Sequence, residues 1–266
     1  MSVHFLQVSD THWSRNRIAG EVDSKERTER LCEWIRGLDM PIDFVVHTGD
    51  LVHGGQRADD DGTSTAEVLQ RFLELPYPFH AVVGNHDHRD VWPKWMGMRS
   101  GQPLTHRSDR WAYHFVCENE RCVVLDARDS VDIDPRGCIC DEQLQAIRLL
   151  LEQTTEPITL FSHYPPLPLD CEWIDQSMLM VNGVELHELL SRFSDRVRGV
   201  FFGHVHRPVA LQRDGVLYAS TGSVSLHFPN GPQDRAAQVQ SDAISFANYV
   251  RLGDEGTLIK TQWIAW

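Results

Sequence analysis

Long apolar runs are absent from this 266-residue chain: none approaches the ~20 residues that a bilayer-spanning helix requires, which argues against a helical membrane anchor. The six cysteines, Cys32, Cys117, Cys122, Cys138, Cys140 and Cys171, form no CxxC pair. Only Cys138 and Cys140 lie close together, at a spacing that falls short of a zinc site, so free thiols are the expectation. Basic charge is scarce: 25 Lys and Arg face 38 Asp and Glu, for a formal net charge of −13. That balance argues against a nucleic-acid polymer as partner. It leaves a small anionic substrate open, because bound cations invert the local field. The opening MSVHFLQVSD lacks a basic segment followed by an apolar stretch, so no secretory signal and a cytoplasmic location are expected. Repeats, low-complexity tracts and linkers are also missing. One domain over residues 1–266 is therefore the economical reading, and a chain of this length can bury one large core.

What the chain does have is a series of short apolar runs, FLQVS, FVVHT, FHAVV, ITLFS and VRGVFF, each followed by polar, metal-competent residues. Continuous runs of this length read as strands buried on both faces, the pattern of a sheet in an α/β protein. The polar residues are Asp10 and His12, Asp50, Asn85, His163, and His204 with His206. Ligands of open α/β sheets gather beyond the carboxyl ends of the strands, so these segments should converge. Imidazole nitrogens and carboxylate oxygens suit Fe, Mn, Zn or Co. Two such cations repel each other and need an anionic bridge, for which Asp50 is the choice. Neutral Asn85 leaves the pair net positive and attractive to phosphate. A metal pair of this kind activates a bridging water or hydroxide and clamps the oxygens of an in-line displacement.

The pattern predicts strands at 3–9, 42–48, 79–83, 111–117, 121–127, 157–162 and 197–202. A hairpin is expected over 207–220, and a strand pair over 244–264. Helices are predicted over 24–38 with Ser24 as cap, over 64–74 with Glu67 closing a capping box, and over 141–152 and 183–193. Pro165, Pro166 and Pro168 forbid an immediate helix after His163, so 166–182 reads as a loop or short lid. The polar stretch 54–63 reads as a loop whose acidic run Asp59–Asp61 is a solvated surface, and 90–110 as a short helix with irregular chain. Among the other histidines, His47 is expected in the core or behind a ligand, and His53 and His88, near ligands in sequence, are candidates to support them. His4, His80, His106, His114 and His187 read as surface or packed residues.

Asp10-x-His12, Gly49-Asp50, Gly84-Asn85-His86-Asp87, His163 and Gly203-His204-x-His206, in this order from residue 5 to about 228, resemble the calcineurin-like metallophosphoesterase superfamily. The resemblance implies an α/β (α+β) fold, a four-layer αββα sandwich. It also implies two divalent or trivalent transition-metal ions. One is held by Asp10, His12, Asp50 and His206, and the other by Asp50, Asn85, His163 and His204. His86 is similar to the superfamily's non-ligating histidine, which contacts phosphate and protonates the leaving group. Asn85 also reaches substrate, and Asp87 is placed to orient His86. Within the superfamily, His163-Tyr164-Pro165-Pro166, Trp173-Ile174-Asp175, Asn182 and the stretch STGSVSLHFPNG look like the class III cyclic nucleotide phosphodiesterase branch, which includes glycerophosphodiesterases. Tyr164 stands where that branch often has a second histidine. His227 is expected at the border of the substrate pocket, and Trp173 near the cleft. The implied activity is hydrolysis of small phosphodiesters, 3′,5′-cyclic nucleotides first, then glycerophosphodiesters or other phosphodiesters and phosphomonoesters. A non-enzymatic scaffold of the same fold is the remaining alternative. Homo-oligomers are common among such proteins.

Overall fold

The apolar runs become strands buried on both faces, and their alternate residues point into two different cores. In the computed structural model, which describes residues 2–19, 22–54, 63–92, 101–129, 132–240 and 244–265, the chain forms two sheets. The first has the order β12-β11-β1-β2-β3, with β1 Val3–Val8, β2 Phe44–His47, β3 Phe79–Ala81, β11 Ile244–Gly253 and β12 Gly256–Ala265. The second has the order β4-β5-β6-β7-β8-β10-β9. Its strands are β4 Gln102–Pro103, β5 Tyr113–Cys117, β6 Glu120–Val124, β7 Ile158–Phe161, β8 Val197–Phe202, β9 Val209–Arg213 and β10 Val216–Ser220. The central strands of both sheets are parallel: β1, β2 and β3 in one, and β6, β7, β8 and β10 in the other.

Side chains alternate across each strand with period two. Val3, Phe5, Phe44 and Val46 of the first sheet meet Cys122, Val124, Phe161, Phe201 and Ala219 of the second in a core between the sheets. Phe5 stacks on Phe44 at 5.1 Å and meets Phe161 and Phe201 edge-on at 5.4 and 5.1 Å. The intervening residues Leu6, Val8 and Val45 face outward against helices α1 (Ser24–Arg36) and α2 (Thr63–Leu73). On the far side, Val123, Leu160, Val200 and Phe202 pack against α3 (Asp141–Gln153), α4 (Glu172–Ser177) and α5 (Gly183–Ser191). Helices, sheet, sheet and helices make the four layers that the sequence led us to expect. Among the described residues, no helix is long and apolar enough to cross a membrane.

Three local expectations are corrected. The cap of α1 is Asp23, whose carboxylate accepts the Glu26 amide at 2.9 Å, while Ser24 is already inside the helix and buried. Ser64 is already inside α2, and Glu67 pairs with Arg15 and accepts from the Trp13 indole at 3.4 Å, tying α2 to the loop after β1. The 166–182 segment contains α4, which starts once the prolines are passed. Asp175 accepts the Leu169 and Cys171 amides at 2.7 and 3.3 Å and so folds the chain just ahead of it. The acidic run Asp59–Asp61 and residues 93–100 lie outside the described residues.

One carboxylate far from the loops makes stability pH-dependent. Glu120 is buried on β6, accepts from the Thr159 hydroxyl at 2.7 Å, and has Arg198 at 3.8 Å. Burial pushes its pKa up from 4.5 to about 7. The folded state therefore holds this proton more tightly than the unfolded chain. The resulting stability is complete below pH 4.5 and is lost as pH rises through 7. Glu120→Gln is expected to flatten the decline in unfolding free energy between pH 5 and 8 by on the order of 3 kcal/mol. Denaturant titrations of both proteins across that range measure it. Parallel profiles would contradict the burial argument.

Candidate metal centre

Asp10 and His12 follow β1, Asp50 follows β2, Asn85 follows β3, His163 follows β7, and His204 and His206 follow β8. Because these strands are parallel within each sheet, all seven residues collect beyond one edge of the sandwich. They do so on unusual backbone. Asp10, His12, Asp50, His204 and His206 all have positive φ, between 44° and 70°. Non-glycine residues adopt this left-handed region at a cost of order 1 kcal/mol each, and such outliers cluster at functional sites. Cross-loop hydrogen bonds hold the conformation. The Asp10 amide donates to Gly49 O and the His12 amide to Asp50 O, both at 3.0 Å, and the His204 amide donates to Asp10 Oδ2 at 3.1 Å. Ser223 and Ser225, from the STGSVS stretch, donate to Asp10 O at 2.8 and 2.9 Å. Glycine is required where these loops touch: a Cβ on Gly84 would overlap the Asp50 carboxylate.

The donor atoms fall into two groups, Asp10 with His12 and His206, and Asp50 with His163 and His204, the atoms of each lying within 4.8 Å of one another. Asp50 joins the groups, since its Oδ2 is 3.3 Å from His163 Nε2 and 3.7 Å from His12 Nε2. Asn85 Oδ1 adds to the second group, 3.2 Å from His163 Nε2. His12 Nε2 and His206 Nε2 lie 3.1 Å apart, and His206 Nε2 is 3.3 Å from Asp10 Oδ1. Carbonyl oxygens hold the far nitrogens of two rings. His163 Nδ1 donates to Thr48 O and His206 Nδ1 to Leu226 O, both at 2.8 Å, which turns each Nε2 lone pair toward the cluster.

Two atoms test whether this constellation suits metal. Asp10 Oδ1 and His204 Nε2 are buried and have no hydrogen-bond partner, a costly state that a cation relieves. Protonation also fits. Burial pushes the pKa values of Asp10 and Asp50 up, but His206 and His163 beside them prevail and hold both carboxyls below the usual range. Burial lowers His12 well below its ordinary value and His204 to about 3, which keeps both neutral. His163 goes the other way: burial lowers it, but the Asp50 carboxylate outweighs that and raises it to about 9. Ionised carboxylates and neutral imidazoles are the forms that ligate, and a cation bound here would take the place of the proton held by His163.

His86 stands at the mouth of the centre, its ring 4.8 Å from that of His12. Its amide donates to Asp50 Oδ1 at 2.8 Å, and its Nδ1 accepts from the Gly54 amide at 3.3 Å. The expected orienting role of Asp87 is corrected: its carboxylate accepts the amides of Asp50 (2.9 Å), Leu51 (2.8 Å) and Gly84 (2.8 Å) and makes no bond to the His86 ring. Asp87 thus staples the Asp50 loop to the Asn85 loop. Burial, with the Asp50 charge, pushes its pKa up to about 7. Asp87→Ala leaves the buried amides of Asp50, Leu51, Val52 and Gly84 without this acceptor, and is expected to cost about 2–4 kcal/mol of stability and to weaken metal retention. Chemical denaturation and metal analysis of the purified variant check both.

His227 is corrected as well. It is fully buried, with Nε2 2.7 Å from Ile244 O and Nδ1 3.3 Å from His206 O, and it lies behind the metal donors, away from the pocket. Tyr164 is buried edge-on to His163 and His204, both at 5.0 Å, and so packs the ligand rings. Trp173 does reach the cleft, where it lines a cavity of about 540 Å³ above the centre. His53, only three residues after Asp50, belongs to that lining too. Its Nδ1 is 3.4 Å from His12 Nδ1, and its ring stacks near His86 at 5.6 Å. Proximity to Asp50 was its only signal in the sequence. Phe228, stacked on His206 at 4.2 Å, had none.

Comparison with known proteins agrees with this geometry. A probable cyclic nucleotide phosphodiesterase of Vesicomyosocius okutanii is 25% identical over 99% of this chain and 100% of its own length. A probable glycerophosphodiester phosphodiesterase of Arcobacter nitrofigilis is 26% identical over 76% of this chain and 71% of its own length. The crystal structure of a dimetal phosphatase from Danio rerio superposes with a TM-score of 0.70 at 18% identity, covering 99% of both chains, and so shares the fold. The family model described as calcineurin-like phosphoesterase matches residues 3–208, a span that holds all seven donors and His86. The chain belongs to the calcineurin-like phosphoesterase family and is a metallophosphoesterase.

Proposed function

We propose that this metallophosphoesterase hydrolyses small phosphodiesters, with 3′,5′-cyclic nucleotides as the leading substrates and glycerophosphodiesters as the second reading. The observation that carries it is the position of Asp50, one carboxylate between two donor groups, with His86 hydrogen-bonded to it through the backbone. Asp10, His12, Asp50 and His206 would hold one metal ion, and Asp50, Asn85, His163 and His204 the other, with Fe, Mn, Zn and Co all suited to the donors. A bound pair supplies Lewis acidity toward the phosphoryl oxygens and lowers the pKa of water. Two carboxylates against two divalent charges leave the centre net positive, which favours a phosphate anion. Asn85, a neutral oxygen donor beside His163, preserves that excess. His86 supplies a proton to the departing oxygen. The names borne by the relatives from Vesicomyosocius and Arcobacter support the choice of a diester. A cytoplasmic setting is part of the same proposal.

The test is a hydrolysis panel of cyclic AMP, a glycerophosphodiester, bis-p-nitrophenyl phosphate and p-nitrophenyl phosphate, with Mn and with chelator. Mn-dependent turnover of diesters above the monoester is expected. Turnover of the monoester alone, or turnover that survives chelation, would overturn the reading.

A further inference from the structure

The cavity above the centre has two unlike halves. The metal donors, His86 and His53 form one. Opposite them stand Trp173, Met178, Leu226, Phe228, Ala237 and Val239. The described lining of this second half holds no charged group, and its polar side-chain atoms are already committed. The Trp173 indole N–H donates to Pro229 O at 3.0 Å, and the Ser177 hydroxyl donates to Trp173 O. A hydroxylated or charged ester group entering here would surrender its hydrogen bonds to water and find no charged or free donor side chain in this half to replace them. A flat aromatic ring would lose nothing and gain contact with Trp173, Phe228 and the aliphatic wall.

The wall is also held in shape. The 228–240 segment leaves and returns through a mutual pair of backbone hydrogen bonds between His227 and Gln240, at 2.9 and 2.8 Å. Arg207 Nε donates to Phe228 O at 2.7 Å, and Arg235 pairs with Glu172 of α4 at 3.1 Å. Phe228 lies flat on His206, and Trp173 meets Phe228 edge-on at 5.6 Å, so the aromatic wall is mounted directly on a metal ligand. Fixed side chains beside a reacting centre confer selectivity because no ordering cost falls on the ligand. A volume of about 540 Å³ accommodates a group of nucleotide size.

We propose that this apolar half is a subsite for an aromatic ring carried on the phosphodiester, with Trp173 and Val239 among its specificity-determining residues. In a cyclic nucleotide the ring is the base. The inference rests on the phosphodiesterase reading and deepens it, by placing ring-bearing diesters ahead of glycerol diesters.

The Mn-loaded protein and its Trp173→Ala and Val239→Asn variants are assayed with cyclic AMP and with glycerophosphoethanolamine. The quantity read is the ratio of the two kcat/KM values, with thermal unfolding as a check on folding. Trp173→Ala is expected to lower the ratio about 10- to 100-fold, the range of stacking contacts removed elsewhere. Val239 is 47% exposed, so its replacement spares the fold. Val239→Asn is expected to lower the ratio several-fold, and it carries the test should the tryptophan variant fail to fold. Turnover of both diesters with an unchanged ratio in the folded variants would overturn the subsite alone. Turnover of neither diester by the Mn-loaded wild type would overturn the phosphodiesterase reading and the subsite with it.

Discussion

Asp50→Asn is expected to abolish most activity, lowering kcat/KM by about 10³-fold or more, because one side chain serves both donor groups. The substitution is nearly isosteric, so packing at the strand end survives. What disappears is the negative charge 3.3 Å from His163 Nε2 and 3.7 Å from His12 Nε2. Without it, two cations would face each other with no shared anion. Metal analysis after purification without chelator should show less than one ion per chain. Asn85→Ala makes the contrasting case, since Asn85 touches only the His163 side. That variant should lose one ion and keep the other. Retention of two ions by Asp50→Asn, with kcat/KM within tenfold of wild type, would refute the bridging role.

The second large effect is expected from His86→Ala, with a kcat loss of about 10²- to 10⁴-fold and full metal content. The two outcomes separate because different atoms are responsible. The His86 amide, which donates to Asp50 Oδ1 at 2.8 Å, survives the change, so the bridging carboxylate stays in place. The imidazole at the cavity mouth is lost. If that ring protonates the leaving oxygen, the deficit should be large for an alkoxide and small for p-nitrophenolate, which departs without help. Comparing cyclic AMP with bis-p-nitrophenyl phosphate measures this. An equal deficit on both substrates would assign His86 to binding phosphate instead.

Much of the centre is legible in the sequence because its donors sit at strand ends. A parallel sheet delivers the residue after each strand to one edge, so Asp10, Asp50, Asn85, His163 and His204 needed only the strand pattern and their order along the chain. The residues misread are those whose work depends on direction. Asp87 follows His86 in the chain, yet its carboxylate points back into the loops and takes four amides. His227 lies near the pocket wall in sequence, yet strand-like alternation sends Leu226 and Phe228 to the cavity and His227 into the interior. Asn182 entered only as part of the branch pattern; its side chain bonds the Ile139 backbone on both sides, at 3.0 and 2.8 Å, a role that needed the fold to show it.

Residue types and their periodicity determined the buried faces of the central strands, helices α1, α2, α3 and α5, and the placing of Asp, Asn and His at strand ends; the family resemblance then named the seven candidate donors. The first three follow from local alternation and the last from the order of the motifs. Only the tertiary structure decided that Asp87 staples the Asp50 and Asn85 loops, that His53 joins the mouth, and that Trp173 and Val239 line one apolar wall. Those facts depend on how two sheets and two distant loops meet in space. That meeting is set by the phenylalanine core between the sheets and by hydrogen bonds across the loops, which no stretch of sequence carries by itself.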